Sequence, residues 1–151
     1  MCWRALSPAD LPVLESLEAL CFSDPWTPAA LAAALGEHTG LALGLPGGRF
    51  GLQAFALGRV VLDDAELHSI AVDPEERGQG LGRRLLRVFC EQARARGARH
   101  LFLEVRSENA VALGLYRSEG FVRLRELPDY YGPGQHGLAF VLPLDRPGAF
   151  S

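Results

Sequence analysis

Apolar residues first recur at helical spacing, with Leu11, Leu14, Leu17 and Leu20 set to share one face. Ser7-Pro8 supplies an N-cap and a first-turn proline for this helix, and Asp24-Pro25-Trp26 breaks it. Cys2–Leu6 reads as a short strand before it. Thr27-Pro28 repeats the cap signal for a second, alanine-rich helix ending near Gly36. Strands follow at Leu41–Leu45, Phe50–Leu62 and Glu66–Val72, separated by Pro46-Gly47-Gly48 and by a tight turn at Asp63-Asp64. After Val72 the period changes. Leu81, Leu85, Phe89 and Ala93 fall four apart on one helical face, and Gly97 stops the helix. His100–Arg106 is a strand with Leu101, Leu103 and Val105 on one side. Asn109–Ser118 is a short helix ending at Gly120, and Phe121–Leu127 and Leu138–Leu144 are closing strands around a Pro/Gly-rich loop.

The resulting order is β-α-α-β-β-β-α-β-α-β-β. Antiparallel strands come first, and the later β-α-β section requires a parallel pair. The expectation is one α/β domain over residues 1–151, with a mixed, mostly antiparallel sheet of about seven strands flanked by four helices. The parallel pair is expected at Glu66–Val72 and His100–Arg106.

Composition narrows the function. The net charge is −3, which supplies no global basic field for nucleic acid. All 15 basic residues are arginine, so no Schiff-base or P-loop lysine exists. The longest stretch free of Asp, Glu, Lys and Arg, Tyr130–Leu144, is too short to span a bilayer. The three cysteines, Cys2, Cys21 and Cys90, are widely spaced and show no metal pattern, and His38, His68, His100 and His136 form no metal set. No secretory apolar region follows Met1. The expectation is a reduced, cytoplasmic protein with no metal, no membrane and no nucleic-acid partner.

The most informative segment is Ile70-Ala71-Val72-Asp73-Pro74-Glu75-Glu76-Arg77-Gly78-Gln79-Gly80-Leu81-Gly82-Arg83. A strand runs into a turn of three alternating glycines that opens directly into a helix. Glycines let the backbone approach a ligand and point several N–H groups into one cavity. The helix start adds partial positive charge, making an anion site suited to a pyrophosphate. Arg77, Arg83 and Arg84 stand ready to add charge-assisted contacts. The spacing is G-x-G-x-G, not the dinucleotide-binding G-x-G-x-x-G. A helix start that merely tolerates glycine would explain one of the three.

Arg77-Gly78-Gln79-Gly80-Leu81-Gly82 resembles the R/Q-x-x-G-x-G/A motif of the GNAT N-acetyltransferases, which cradles the acetyl-CoA pyrophosphate. Ile70-Ala71-Val72-Asp73-Pro74, Leu103-Glu104-Val105-Arg106, Ser107-Glu108-Asn109-Ala110 and Leu115-Tyr116-Arg117-Ser118-Glu119-Gly120-Phe121 resemble the RimI branch, the bacterial ribosomal-protein alanine N-acetyltransferases. Phe22-Ser23-Asp24-Pro25-Trp26-Thr27 and Tyr130-Tyr131 are similar to it too. The resemblance implies a GNAT fold, with the parallel pair splayed to admit a pantetheine arm, and acetyl-CoA as co-substrate, held by residues 70–72, 77–83 and Asn109. It implies a peptide groove flanked by Trp26, Tyr130 and Tyr131.

Glu104 interrupts an apolar strand, where a buried carboxylate is costly unless paired or used. An attacking amine needs a base, and Glu104 is placed to supply one directly or through water. An ion pair with Arg106 explains it equally well from the residues alone. The resemblance implies a proton acceptor. Tyr116 reads from spacing as an aromatic core residue, whereas the resemblance implies a general acid for the departing CoA thiolate. Asn109 has a sufficient role as a helix N-cap, and the resemblance adds a cofactor contact. His68 is an alternative base, more simply read as a partly buried histidine. The loop between the closing strands departs from the family pattern, with Pro128-Asp129 before the tyrosines and Gly134-Gln135-His136-Gly137 after them. These departures bear on peptide preference.

The resemblance implies acetyl transfer to a protein N-terminal α-amine, the target being an N-terminal alanine of a small-subunit ribosomal protein. Direct attack through a tetrahedral intermediate is expected, with a backbone N–H near Val72 polarising the thioester carbonyl. Two rivals are a small-molecule amine acetyltransferase, which wants a closed acidic pocket, and a non-catalytic acyl-CoA-binding module.

Overall fold

The change of period after Val72 is the change from a strand to the long helix that carries the larger core. In the computed structural model, which describes residues 2–144, that helix is α3, Leu81–Ala95. Met1 and residues 145–151 of the expected domain lie outside the described residues. Seven strands make one sheet: β1 (Arg4–Ala5), β2 (Gly40–Pro46), β3 (Leu52–Val61), β4 (Asp64–Val72), β5 (His100–Arg106), β6 (Val122–Gly132) and β7 (Gln135–Pro143). The spatial order is β1-β2-β3-β4-β5-β7-β6. Among the described residues only β4 and β5 run parallel. The remaining helices are α1 (Leu11–Cys21), α2 (Pro28–Gly36) and α4 (Ala110–Ser118).

Strand alternation divides the core into two layers. Phe55 and Leu57 of β3 point to the layer holding Leu14, Leu17 and Leu31 of α1 and α2. Ala54 and Ala56 point the other way, under Leu85, Phe89 and Ala93 of α3. Burying each Leu or Phe contributes about 1.5–3 kcal/mol. Gly58 permits a close approach of β3 to β4 and α3, since a Cβ there would run into the Glu66 carbonyl oxygen and the Phe89 ring. The β3–β4 register slips beside it, and His68 is the extra residue of the resulting bulge.

Several expectations are corrected. Ser7 caps the first helical segment and Pro8 opens it as expected, but it begins as a 3₁₀ turn at Pro8–Asp10, closed by the i→i+3 bond from Asp10 N–H to Ser7 O at 2.9 Å. Leu20 is exposed and Glu18 is buried instead, since spacing by threes drifts around the helix while residues 11, 14 and 18 hold one face. The β3–β4 turn is Leu62-Asp63, not Asp63-Asp64, and Leu62 adopts φ +54°. Tyr130 and Tyr131 lie inside β6, not in a loop. The hairpin turns at Pro133-Gly134, where Gly132 pairs with Gln135.

Candidate active site

The parallel pairing of β4 with β5 runs only from Asp64↔His100 to Leu67↔Leu103. Beyond it β4 stays with β3, and β5 stays with β7 through Arg106↔Gly137. A wedge opens between His68–Val72 and Glu104–Arg106. A strand points its backbone groups alternately to its two neighbours, so those of β4 facing the wedge lack a strand partner. Among them the Val72 carbonyl accepts from Arg77 Nε at 3.2 Å and from Cys21 Sγ at 3.3 Å.

The wedge leads to the start of α3. Gly78 and Gly80 adopt φ +84° and +77°, and a Cβ on either would meet nothing within 4 Å. Their conformation demands glycine, and the space beside them is open. The first backbone N–H returned into α3 from outside is that of Arg84, to Gly80 O at 3.1 Å, which leaves the amides before it to the cavity. Asp73 fixes the turn that precedes this site. It is fully buried, takes two bonds from Arg49 at 3.0 and 2.9 Å, and accepts from Glu75 N at 3.0 Å. The Arg49 guanidinium holds the Asp73 carboxyl below the usual carboxylate range.

Glu104 is exposed, contrary to the expected buried carboxylate, and Oε1 accepts from the Tyr130 hydroxyl at 2.7 Å. The odd residues of β5 face α3, so Glu104 falls on the opposite face, at the wedge. Sharing its proton with Glu104 pushes the Tyr130 phenol up to about 12. The anticipated Glu104–Arg106 pair is not formed. Arg106 instead donates to Gln135 Oε1 at 2.6 Å, lies 3.8 Å from Asp24 and packs 4.5 Å from the Tyr131 ring centroid. It therefore ties the β6–β7 hairpin to the α1–α2 connection. Tyr130 and Tyr131 stand edge to face at 5.0 Å. Trp26, half-buried, approaches the exposed His68, their ring centroids 6.0 Å apart.

Tyr116 is buried on the α3 side of the sheet, its ring 5.5 Å from that of Phe121. Glu104 and Tyr116 thus occupy opposite faces and can address one atom only through the wedge. Burial, with Tyr131 adding to it, raises the Tyr116 phenol above its ordinary value.

A protein-family model described as the acetyltransferase (GNAT) family matches residues 11–121. The chain is 39% identical over 127 residues to the [Ribosomal protein bS18]-alanine N-acetyltransferase of Escherichia coli strain K12, covering 84% of each chain. It is 42% identical over 134 residues to the N-alpha-acetyltransferase RimI of Mycobacterium tuberculosis, covering 84% of this chain and 82% of the other. The crystal structure of the Escherichia coli ribosomal-protein alanine N-acetyltransferase superposes with a TM-score of 0.88, at 33% identity, covering 99% of this chain and 97% of that one.

The chain belongs to the GNAT acetyltransferase family.

It is an N-acetyltransferase, and its co-substrate is acetyl-CoA. The open glycine turn at the head of α3 fits a pyrophosphate, and the wedge fits an extended arm. Not every residue of the motif contributes a side chain. Ala71 and Leu81 point into the core, so only their backbones face the site. Gln79 is held by Glu76 at 3.2 Å, and Arg83 by Ser118 Oγ at 2.8 Å and Glu119 at 3.3 Å. Ile70 packs on the α3 layer, and Val72 lies 3.6 Å from where a Gly82 Cβ would stand. Asn109 caps α4 by accepting from Ala112 N at 3.2 Å.

A Gly80→Val protein is expected to lose about 1–3 kcal/mol of stability from φ +77°. Its acetyl-CoA affinity should fall by about tenfold or more, because the new Cβ enters the cavity. Thermal melting and calorimetric titration on one preparation check both. Unchanged affinity in the folded variant would reject the turn as the pyrophosphate site.

Sequence reasoning missed Glu18, Ser69, Arg49 and the Arg83–Arg87–Glu119 cluster joining α3 to α4. Glu18 left a trace, since it interrupts an apolar helical stripe at Leu11, Leu14 and Cys21.

Proposed function

We propose that this chain, as a single domain over 1–151, transfers the acetyl group of acetyl-CoA to the N-terminal α-amine of a protein, an alanine of a small-subunit ribosomal protein. The observation that carries this reading is the exposed Glu104 carboxylate at the mouth of the wedge, hydrogen-bonded by Tyr130 and opposite the buried Tyr116. The 39% and 42% identities to protein N-terminal acetyltransferases support the same acceptor class.

Tyr130 engages Oε1 of Glu104 and leaves Oε2 for the amine or an intervening water. Glu104 takes the amine's proton as it attacks. A backbone N–H at Val72 stabilises the charge that develops on the carbonyl oxygen. The Tyr116 hydroxyl faces the departing sulfur. Burial raises the phenol above its ordinary value, so its proton stays on until the thiolate departs. Tyr116 then acts as the general acid for the departing CoA thiolate. Trp26, Tyr130 and Tyr131 flank the acceptor, and residues 70–72, 77–83 and Asn109 hold acetyl-CoA. His68 sits at the groove as a less favoured base, since its nearest carboxylate is Glu66 at 3.5 Å, not the wedge.

Exposure of Glu104, Tyr130 and His68 gives an open groove, which disfavours the small-molecule alternative. No described helix is long and apolar enough to cross a membrane, and among the described residues no His/Cys/Asp/Glu group is arranged to hold a metal. We place the reaction in the cytoplasm, where ribosomal proteins are made.

The test is a panel of short peptides differing in the first residue, incubated with acetyl-CoA. Alanine-initial peptides should gain one acetyl group at the α-amine by mass spectrometry. Acetylation of small amines alone, or no turnover at saturating acetyl-CoA, would reject the reading.

A further inference from the structure

Glu18 is 1% exposed, and the proposed chemistry does not use it. Burying a carboxylate costs several kcal/mol, and an apolar residue at such a site is often as stable. Among the described residues Glu18 has no salt-bridge partner. Its two carboxyl oxygens are held by two neutral donors: Oε1 accepts from Trp26 N at 2.8 Å, and Oε2 accepts from Ser69 Oγ at 2.8 Å.

Both donors matter to the groove. Residues 22–27 join α1 to α2 without regular structure; beyond Phe22, whose N–H closes α1 on Glu18 O, Trp26 N–H is the one amide of that segment with an acceptor among the described residues. Ser69 follows the bulge residue His68, whose ring approaches that of Trp26. One turn further along α1, Cys21 reaches Val72 O. The carboxylate thus bolts the Trp26 segment to the strand that borders the wedge.

We propose that Glu18 is a positioning residue of the acceptor site. It fixes the place of Trp26 relative to β4, and through it the groove wall that receives the peptide. The proposal rests on the reading that Trp26 flanks the acceptor. Its effect is confined to the acceptor side, because Glu18 touches neither the glycine turn nor Tyr116. A carboxamide preserves the clamp: Oε1 of Gln accepts from Trp26 N–H, and Nε2 donates to Ser69 Oγ.

The test uses Glu18→Leu and Glu18→Gln. Leu should raise the peptide KM by about tenfold or more, with kcat and acetyl-CoA affinity each changed by no more than about twofold. Gln should restore KM to within about threefold of the parent. The same pair is compared in a Trp3→Phe background, where Trp26 is the sole tryptophan. Acrylamide quenching should rise in the Leu variant and return in the Gln variant. If Leu fails to fold, Ser69→Ala severs one of the two bonds and should raise quenching and KM together. Unchanged quenching, or acetyl-CoA affinity falling in step with KM, would overturn the proposal. A parent protein that acetylates no peptide would instead reject the functional reading, while quenching would still decide the role of Glu18.

Discussion

Glu104→Gln is expected to lower kcat by about 10²–10⁴-fold, the range associated with losing a general base. The amide still accepts from Tyr130, so the local geometry survives and only basicity is lost. Acetyl-CoA affinity should change by no more than about twofold, since Glu104 faces the wedge mouth and not the glycine turn. An equal fall in kcat and kcat/KM for the peptide is the mark of a group acting in the transition state. Parent turnover should rise with pH as the peptide amine, ordinarily near 7.7–8.0, gives up its proton. His68→Ala is the companion variant. If it abolishes turnover while Glu104→Gln keeps it, the base is His68.

Tyr116→Phe keeps the ring against Phe121 and removes one oxygen. A core role would show only in stability and leave the rate alone, since among the described residues the hydroxyl has no hydrogen-bond partner and the ring packing is kept. A role at the leaving group should lower kcat by at least about 10²-fold with acetyl-CoA affinity retained. CoA thiolate leaves moderately well unaided, so it depends less on protonation than a poorer leaving group would. The effect therefore belongs at the low end of the range. Melting temperature, cofactor affinity and single-turnover rate on one preparation separate the two roles. A normal rate with a lowered melting temperature would assign the hydroxyl to the core.

The sequence alone determined the order of elements and the glycine turn. Leu81, Leu85, Phe89 and Ala93 needed only helical periodicity to place α3, and all four are buried. Gly78 and Gly80 needed only their own backbone freedom, and both adopt positive φ. Such features depend on neighbours a few positions away. What depended on distant partners was not legible. Glu104 looked buried because its flanking residues are apolar, but the parting of β4 from β5 exposes it and the hairpin supplies Tyr130 from 26 positions on. The hairpin itself read as a loop, since Pro128, Gly132, Pro133 and Gly134 carry turn signals; the turn is confined to Pro133-Gly134, and β6 runs on past an irregularity to Gly132, which pairs with Gln135. Glu18 and Ser69 are 51 positions apart, and no local pattern links them. Periodicity along the chain fixes which face a residue takes. Only the packed sheet decides where two strands separate, and hence which carboxylate meets solvent, which meets a donor, and which chemistry each can do.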